Sequence, residues 1–191
     1  MSRGLGDVYK RQTVKDATTV PVDGSDAYKG KAAKMTTVTG VVLVGSAAGN
    51  LFIGTYKTNM GNPAASVNFG REYTGARPTK LKGYYKYKST PITAGTKPGN
   101  LQTDQCHIYL RLWDSSDTEI AYGEFIGSET VTQYTPFEFD IEYKNTEAKP
   151  AKITIVATSS KYGGDFEGSK VVGQVGEGST LWVDEFELSY D

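Results

Sequence analysis

The sequence predicts an all-β chain folded as an antiparallel β-sandwich of the jelly-roll type, and three observations lead there. Aromatic residues make up 12% of the 191 positions, with 13 Tyr and 22 Gly, a mix that favours strands and turns over long helices. From Thr13 onward the apolar residues recur with a period close to two, and no stretch keeps a 3.6-residue stripe beyond a turn or two. About eight such runs are separated by clusters rich in Gly, Pro, Asn and Asp, such as TNMGNPAAS, TPITAGTKPGN and KYGGDFEGSK, the punctuation of a sandwich. The length suits one domain with a sizeable core.

In chain order the expected strands are KAAKMTTV (31–38), GNLFIGTYK (49–57), TKLKGYYKYK (79–88), DQCHIYLRLWD (104–114), EIAYGEF (119–125), PFEFDIEYK (136–144), AKITIVATSS (151–160) and STLWVDEFELSY (179–190). Alternation assigns their faces. In TKLKGYYKYK, Leu81, Tyr85 and Tyr87 point inward, with Lys82, Tyr84, Lys86 and Lys88 outward. In QCHIYLRLWD the inward set is Cys106, Ile108, Leu110 and Leu112, leaving His107, Tyr109, Arg111 and Trp113 outside. In PFEFDIEYK, Phe137, Phe139, Ile141 and Tyr143 face the core and Glu138, Asp140 and Glu142 form an acidic outer stripe. The last strand slips phase, because Leu181 and Val183 have one parity and Phe186, Leu188 and Tyr190 the other. A bulge near Asp184 and Glu185 reconciles them.

The first twelve residues stand apart from this pattern. SRGLGDVYKRQ (2–12) matches the in-frame translation of a transposase adapter used in sequencing libraries, so residues 1–12 are expected to be an artefact outside the fold. Residues 13–191 are then one jelly-roll domain, expected to be truncated at its N-terminus, and removing residues 1–12 is expected to leave the thermal midpoint unchanged. A secretion signal, a lipid anchor or a preceding domain would lie upstream.

Charge and composition exclude more than they select. Lys and Arg total 21 against 22 Asp and Glu, a net charge of −1, so no overall field points to nucleic acid or an anionic membrane. Cys106 is the single cysteine and His107 the single histidine, which rules out an internal disulfide, multi-cysteine zinc motifs and metal sites built on paired histidines. GGDFEGSK (163–170) inverts the Lys-Ser order of a phosphate-binding loop and has no helix after it. Carboxylates abound, among them Asp114, Asp117, Glu119, Glu124, Glu138, Asp140, Asp165, Glu167 and Asp184. A glycosidase needs two of them facing each other across about 5 to 9.5 Å, and spacing in the sequence does not bring any pair together. Asp165 and Glu167, in a loop able to close over a pocket, are the better enzymatic candidates. Asp184 could serve the bulge or hold Ca²⁺ at a sheet edge.

The ordered series AAGNLFIGTY, NFGREYTGARPTKLKGYYKYK, DQCHIYLRLWD, ATSSKYGGDFEGS and GSTLWVDEFELSYD resembles the PCMD family, a carbohydrate metabolism domain of glycan-degrading Gram-negative bacteria, over roughly Val20 to Asp191. RPTKLKGYYKYK and LWVDEFEL carry most of that resemblance. It implies a β jelly roll, often C-terminal to immunoglobulin-like domains, in a secreted or lipid-anchored protein at the bacterial surface. The function expected is a non-catalytic carbohydrate-binding or glycan-presenting module. Its partners are a glycan or oligosaccharide and the other domains of a longer chain, without nucleic acid, cofactor or metal, and with membrane attachment only through a lost anchor. Tyr84, Tyr109 and Trp113 are the expected sugar platforms, with Lys86, His107 and Arg111 as polar partners; the two rows form one patch only if the topology puts them on one sheet. A glycoside hydrolase with paired carboxylates and a purely structural or protein-interaction domain are the alternatives.

Overall fold

A computed structural model describes residues 17–59 and 61–190; the adapter-like segment 1–12 lies outside these described residues. The strands in chain order are β1 (Thr19–Asp23), β2 (Lys31–Thr36), β3 (Val38–Val41), β4 (Gly45–Ala47), β5 (Asn50–Phe52), β6 (Gly54–Tyr56), β7 (Val67–Phe69) and β8 (Arg71–Glu72). The second half follows with β9 (Lys80–Lys88), β10 (Cys106–Trp113), β11 (Glu119–Gly127), β12 (Val131–Asp140), β13 (Glu142–Tyr143), β14 (Lys152–Thr158), β15 (Phe166–Glu167), β16 (Lys170–Val171) and β17 (Thr180–Ser189). Two antiparallel sheets form the sandwich. Sheet 1 has the order β1-β2-β17-β9-β12, sheet 2 the order β13-β11-β10-β14-β5 with β8 added to β14, and three small ladders pair β3 with β4, β6 with β7 and β15 with β16. Every ladder between these strands is antiparallel, and the non-sequential strand order within each sheet is the crossing pattern of a jelly roll.

The core lies where the alternation places it. Leu81, Tyr85 and Tyr87 of β9, Met35 of β2, and Leu181 and Val183 of β17 meet Cys106, Ile108, Leu110 and Leu112 of β10, with Ile153 and Ala157 of β14 behind them, all buried. Tyr85 of sheet 1 meets the ring of Phe125 in sheet 2 edge-on at 4.8 Å, and Phe137 packs on Phe125 at 5.4 Å. Burial pushes the Cys106 thiol up to about 12, so this cysteine acts as a small core hydrophobe and not as a nucleophile.

Three segments expected as single strands are divided. PFEFDIEYK splits at Ile141: β12 pairs with β9 in sheet 1, whereas β13 pairs with β11 in sheet 2, so the chain turns from one layer into the other with its inward alternation unbroken. GNLFIGTYK splits at Ile53, between the edge strand β5 and a hairpin of β6 with β7. KAAKMTTV splits at Thr37, whose hydroxyl contacts Ser159 at 2.7 Å and Ser160 at 2.6 Å in the buried interior. The KYGGDFEGSK loop holds the short β15–β16 ladder, with Gly168 at φ +60° in its turn.

The expected bulge is present. Asp184 and Glu187 are three positions apart while their β9 partners Tyr84 and Lys82 are two apart, and Glu185 sits at φ +50°. The extra residue switches the inward parity from Leu181 and Val183 to Phe186, which meets Phe137 edge-on at 5.5 Å. The Asp184 carboxylate accepts the backbone N–H groups of Tyr28 at 3.0 Å, Lys29 at 2.9 Å and Glu185 at 2.9 Å. It fastens the loop between β1 and β2 to the bulge, and no cluster of metal-ligating side chains forms among the described residues.

Candidate functional site

The outward residues of β10 meet a different fate at each end of the strand. Cross-strand register lays two rows over sheet 2: His107 beside Thr158 of β14 and Asn50 of β5, and Tyr109 beside Val156 and Phe52. These six side chains line the floor of a cavity of about 280 Å³. Its walls come from the β3–β4 hairpin through Leu43, Val44 and Ala47, from the segment between β6 and β7 through Tyr56, Pro63 and Phe69, and from residues 160–169 through Lys161, Gly163 and Phe166. Phe52 and Phe69 meet edge-on at 5.5 Å. At Gly163 a Cβ would fall 2.6 Å from the Ala48 Cβ, so only glycine lets this wall approach the β4 side so closely.

His107 is therefore not the open surface residue its parity suggests. It is 9% exposed, roofed by loops that the alternation of β10 cannot reveal. Its Nε2 lies 2.7 Å from Oε2 of Glu124, which also accepts the Tyr122 hydroxyl at 2.9 Å. Burial holds the imidazole below its usual value against the opposing pull of Glu124. Burial also acts to raise Glu124, but the hydrogen bonds from Tyr122 and His107 outweigh it and keep the carboxyl below the ordinary glutamate range. An ionised carboxylate only accepts, so Nε2 of the neutral ring carries the proton and Nδ1 is left as an acceptor.

The other predicted residues lie elsewhere. Arg111 stacks over Tyr109 at 5.3 Å and Tyr122 at 5.5 Å, bracing the cleft from outside. Trp113 stands roughly 20 Å along the strand from His107, six residues at the strand rise, with the Lys152 ammonium 4.9 Å above its ring. Tyr84 and Lys86 belong to β9 in sheet 1, so they point from the opposite face of the sandwich, and Tyr84 is covered by Tyr28, stacked at 3.8 Å. The two rows do not form one patch. Of the six predicted residues only His107 and Tyr109 line the cleft.

Asn50, Phe52, Thr158 and Lys161 were not singled out by the sequence. One signal was present: between Lys152 and Lys161 the run ITIVATSS carries no charge, as expected of a strand covered on both faces, and Val156 and Thr158 are indeed buried on the outward side.

No Asp or Glu is among the described residues lining the cleft. Most of the candidate carboxylates are engaged elsewhere. Asp114 accepts the N–H groups of Ser116 and Thr118 in a turn, Asp117 pairs with Lys152, and Glu119 pairs with Lys144 and Arg111. Glu138 and Asp140 share Lys80, and Glu167 lies 3.9 Å from Lys97.

Fold and site together define a jelly-roll β-sandwich with a roofed cleft on one outer sheet face, without a carboxylate among its described lining residues. The chain belongs to the PCMD family, described as "Putative carbohydrate metabolism domain", which matches residues 4–189. Two solved structures share its fold. A protein of Bacteroides thetaiotaomicron VPI-5482 called a "putative glycoside hydrolase" is 26% identical with a TM-score of 0.77, over 93% of this chain and 58% of that one. A "putative glycoside hydrolase" of Bacteroides vulgatus ATCC 8482 is 23% identical with a TM-score of 0.73, over 92% of this chain and 78% of that one. This chain thus spans little more than half of the first of them. No curated protein matches it at a significant level.

Proposed function

We propose that the protein is a non-catalytic glycan-binding module of a surface or secreted bacterial protein, and that it holds its sugar in the cleft over His107 and Tyr109. The observation that carries this reading is the cleft's lining: aromatic rings of Tyr109, Phe52, Phe69 and Tyr56 beside the hydrogen-bonding groups of His107, Asn50, Thr158 and Lys161, with no carboxylate among the described lining residues. Apolar faces suit the C–H faces of a pyranose, and a few placed polar groups orient its hydroxyls. An unprotonated His107 Nδ1 supplies an acceptor, and the Lys161 ammonium a donor. A hydrolase of the two-carboxylate kind needs an acid and a second carboxylate flanking the scissile bond, and this lining offers neither.

The names of the two crystal structures favour a second reading, a glycoside hydrolase. The carboxylate that could serve it is Glu124, which is not among the described lining residues but is bonded to His107. Affinity gel electrophoresis against a panel of neutral polysaccharides, run beside turnover assays on oligosaccharides and aryl glycosides, tests both. Expected is retention of the wild type, weakened between about twofold and tenfold in Tyr109→Ala, since an aromatic contact contributes roughly 0.5 to 1.5 kcal/mol beyond its area, with no turnover. Hydrolysis that disappears in Glu124→Gln while binding persists replaces the first reading with the second.

A further inference from the structure

We propose that the opposite face of the sandwich carries a second site, a strip of Lys34, Trp182 and Lys86 that binds a carboxylate-bearing glycan. The carbohydrate character of the ligand rests on the function proposed above; its charge rests on this face alone. Trp182 has the parity opposite to Leu181 and Val183, so it points out of sheet 1, and register places it directly between Lys34 of β2 and Lys86 of β9. The Lys34 and Lys86 ammonium groups lie 5.5 and 5.1 Å from its ring, and Lys86 is also 4.7 Å from the ring of Tyr134.

The lysines of β9 differ in one respect. Lys80 is paired with Glu138 at 2.6 Å and Asp140 at 3.3 Å, and Lys82 with Glu187 at 3.1 Å. Neither Lys86 nor Lys34 has a carboxylate within 4.0 Å among the described residues. The acid on the neighbouring row, Asp184, is buried under the loop whose N–H groups it accepts. Two uncompensated cations therefore flank one half-buried indole. The indole N–H is itself buried and without an acceptor, alone in this among the buried side-chain nitrogens and oxygens of the described residues. A uronate meets all three features: its carboxylate pairs with the ammonium groups, its ring lies against the indole, and its oxygens are of the acceptor kind that the indole N–H lacks. Tyr28, stacked on Tyr84, closes the strip at one end.

The test uses polygalacturonate and its fully methyl-esterified form, which keeps the chain and removes the charge. Expected is retardation of the wild type by the acid form alone, lowered roughly tenfold in Lys34→Gln/Lys86→Gln, with an unchanged thermal midpoint. The same change of net charge at the exposed Lys149→Gln/Lys170→Gln should have no effect, and neither should Tyr109→Ala in the cleft. The chain has two tryptophans, so in Trp113→Phe the emission reports Trp182, and it should shift on adding the acid polymer. Equal retardation by the esterified polymer, equal loss in the Lys149/Lys170 control, or a silent Trp182 overturns the proposal. Loss in Tyr109→Ala alone assigns acid binding to the cleft and overturns it as well, whereas failure of neutral glycans to bind the cleft leaves this strip to stand or fall on its own variants.

Discussion

Asp104 shows how much a single buried carboxylate can demand of its surroundings. It is 0% exposed; Oδ1 accepts the Gln105 N–H at 2.8 Å, and Oδ2 accepts the Gly176 N–H at 2.8 Å and the Ser160 hydroxyl at 2.5 Å. Burial nevertheless outweighs these bonds and raises its pKa. A carboxyl that holds its proton more tightly folded than unfolded contributes most below the ordinary aspartate value, and that contribution is lost as pH rises through the raised folded value. Over that window the wild type should therefore lose stability relative to Asp104→Asn, in urea titrations at a series of pH values. In Asp104→Asn this contribution to the slope should vanish while those of His107 and Glu124 remain, and stability should drop by about 1 to 3 kcal/mol, because a backbone N–H sits on each oxygen and one must face the new amide N–H₂ whichever way it turns. A pH slope identical in wild type and variant would place the titration elsewhere.

At the scale of elements, small irregularities decide what the regular strands present. The one-residue bulge in β17 lets a single strand put Leu181 and Val183 into one part of the core and Phe186 into another, while its outward Asp184 anchors the loop carrying Tyr28. The break at Ile141 sends one alternating segment into both sheets. Gly163 does the equivalent for the cleft wall. Gly163→Ala should push residues 160–164 away from Ala48, since the contact is with a backbone-tethered methyl and not a flexible chain end. Overpacking of this kind costs about 1 to 3 kcal/mol. Glycan retention by the cleft should fall in the same variant, while the Trp182 strip on the other sheet remains active. Retention unaffected by Gly163→Ala would show that the wall plays no part in binding.

For the whole molecule, the sandwich separates its two candidate surfaces. Sheets packed about 10 Å apart place the cleft over sheet 2 and the lysine–tryptophan strip over sheet 1 on opposite faces, with no shared partner side chain among the described residues. Substitutions at such distances add within about 0.3 to 0.5 kcal/mol. Combining Tyr109→Ala with Lys86→Gln should therefore lower neutral and acidic glycan binding by the same factors as each change alone, with one cooperative unfolding transition retained. Coupling well beyond that margin, measured in a double-mutant cycle, would mean that the two faces communicate through the core.

The sequence by itself determined the long strands β9, β10, β11, β14 and β17, their inward faces and the bulge, because each follows from a period of two and from local turn chemistry; where the chain breaks from one ladder into another, as at Thr37, Ile53 and Ile141, it did not. Leu81, Tyr85, Ile108 and Leu110 could be placed in the core before any fold was known. The ordered motifs also sufficed to indicate the family. Only the tertiary structure decided which outward residues share a surface. Tyr84 and Tyr109 have the same alternation but belong to different sheets, a matter of long-range pairing that no local pattern encodes. His107 and Trp113 share one strand face, yet the β3–β4 hairpin, the β6–β7 segment and residues 160–169 roof only the first of them. Trp182 gained its two lysines from strands that lie about 150 and 100 residues earlier in the chain. Parity is a property of one strand, whereas a binding surface belongs to the neighbours that folding supplies.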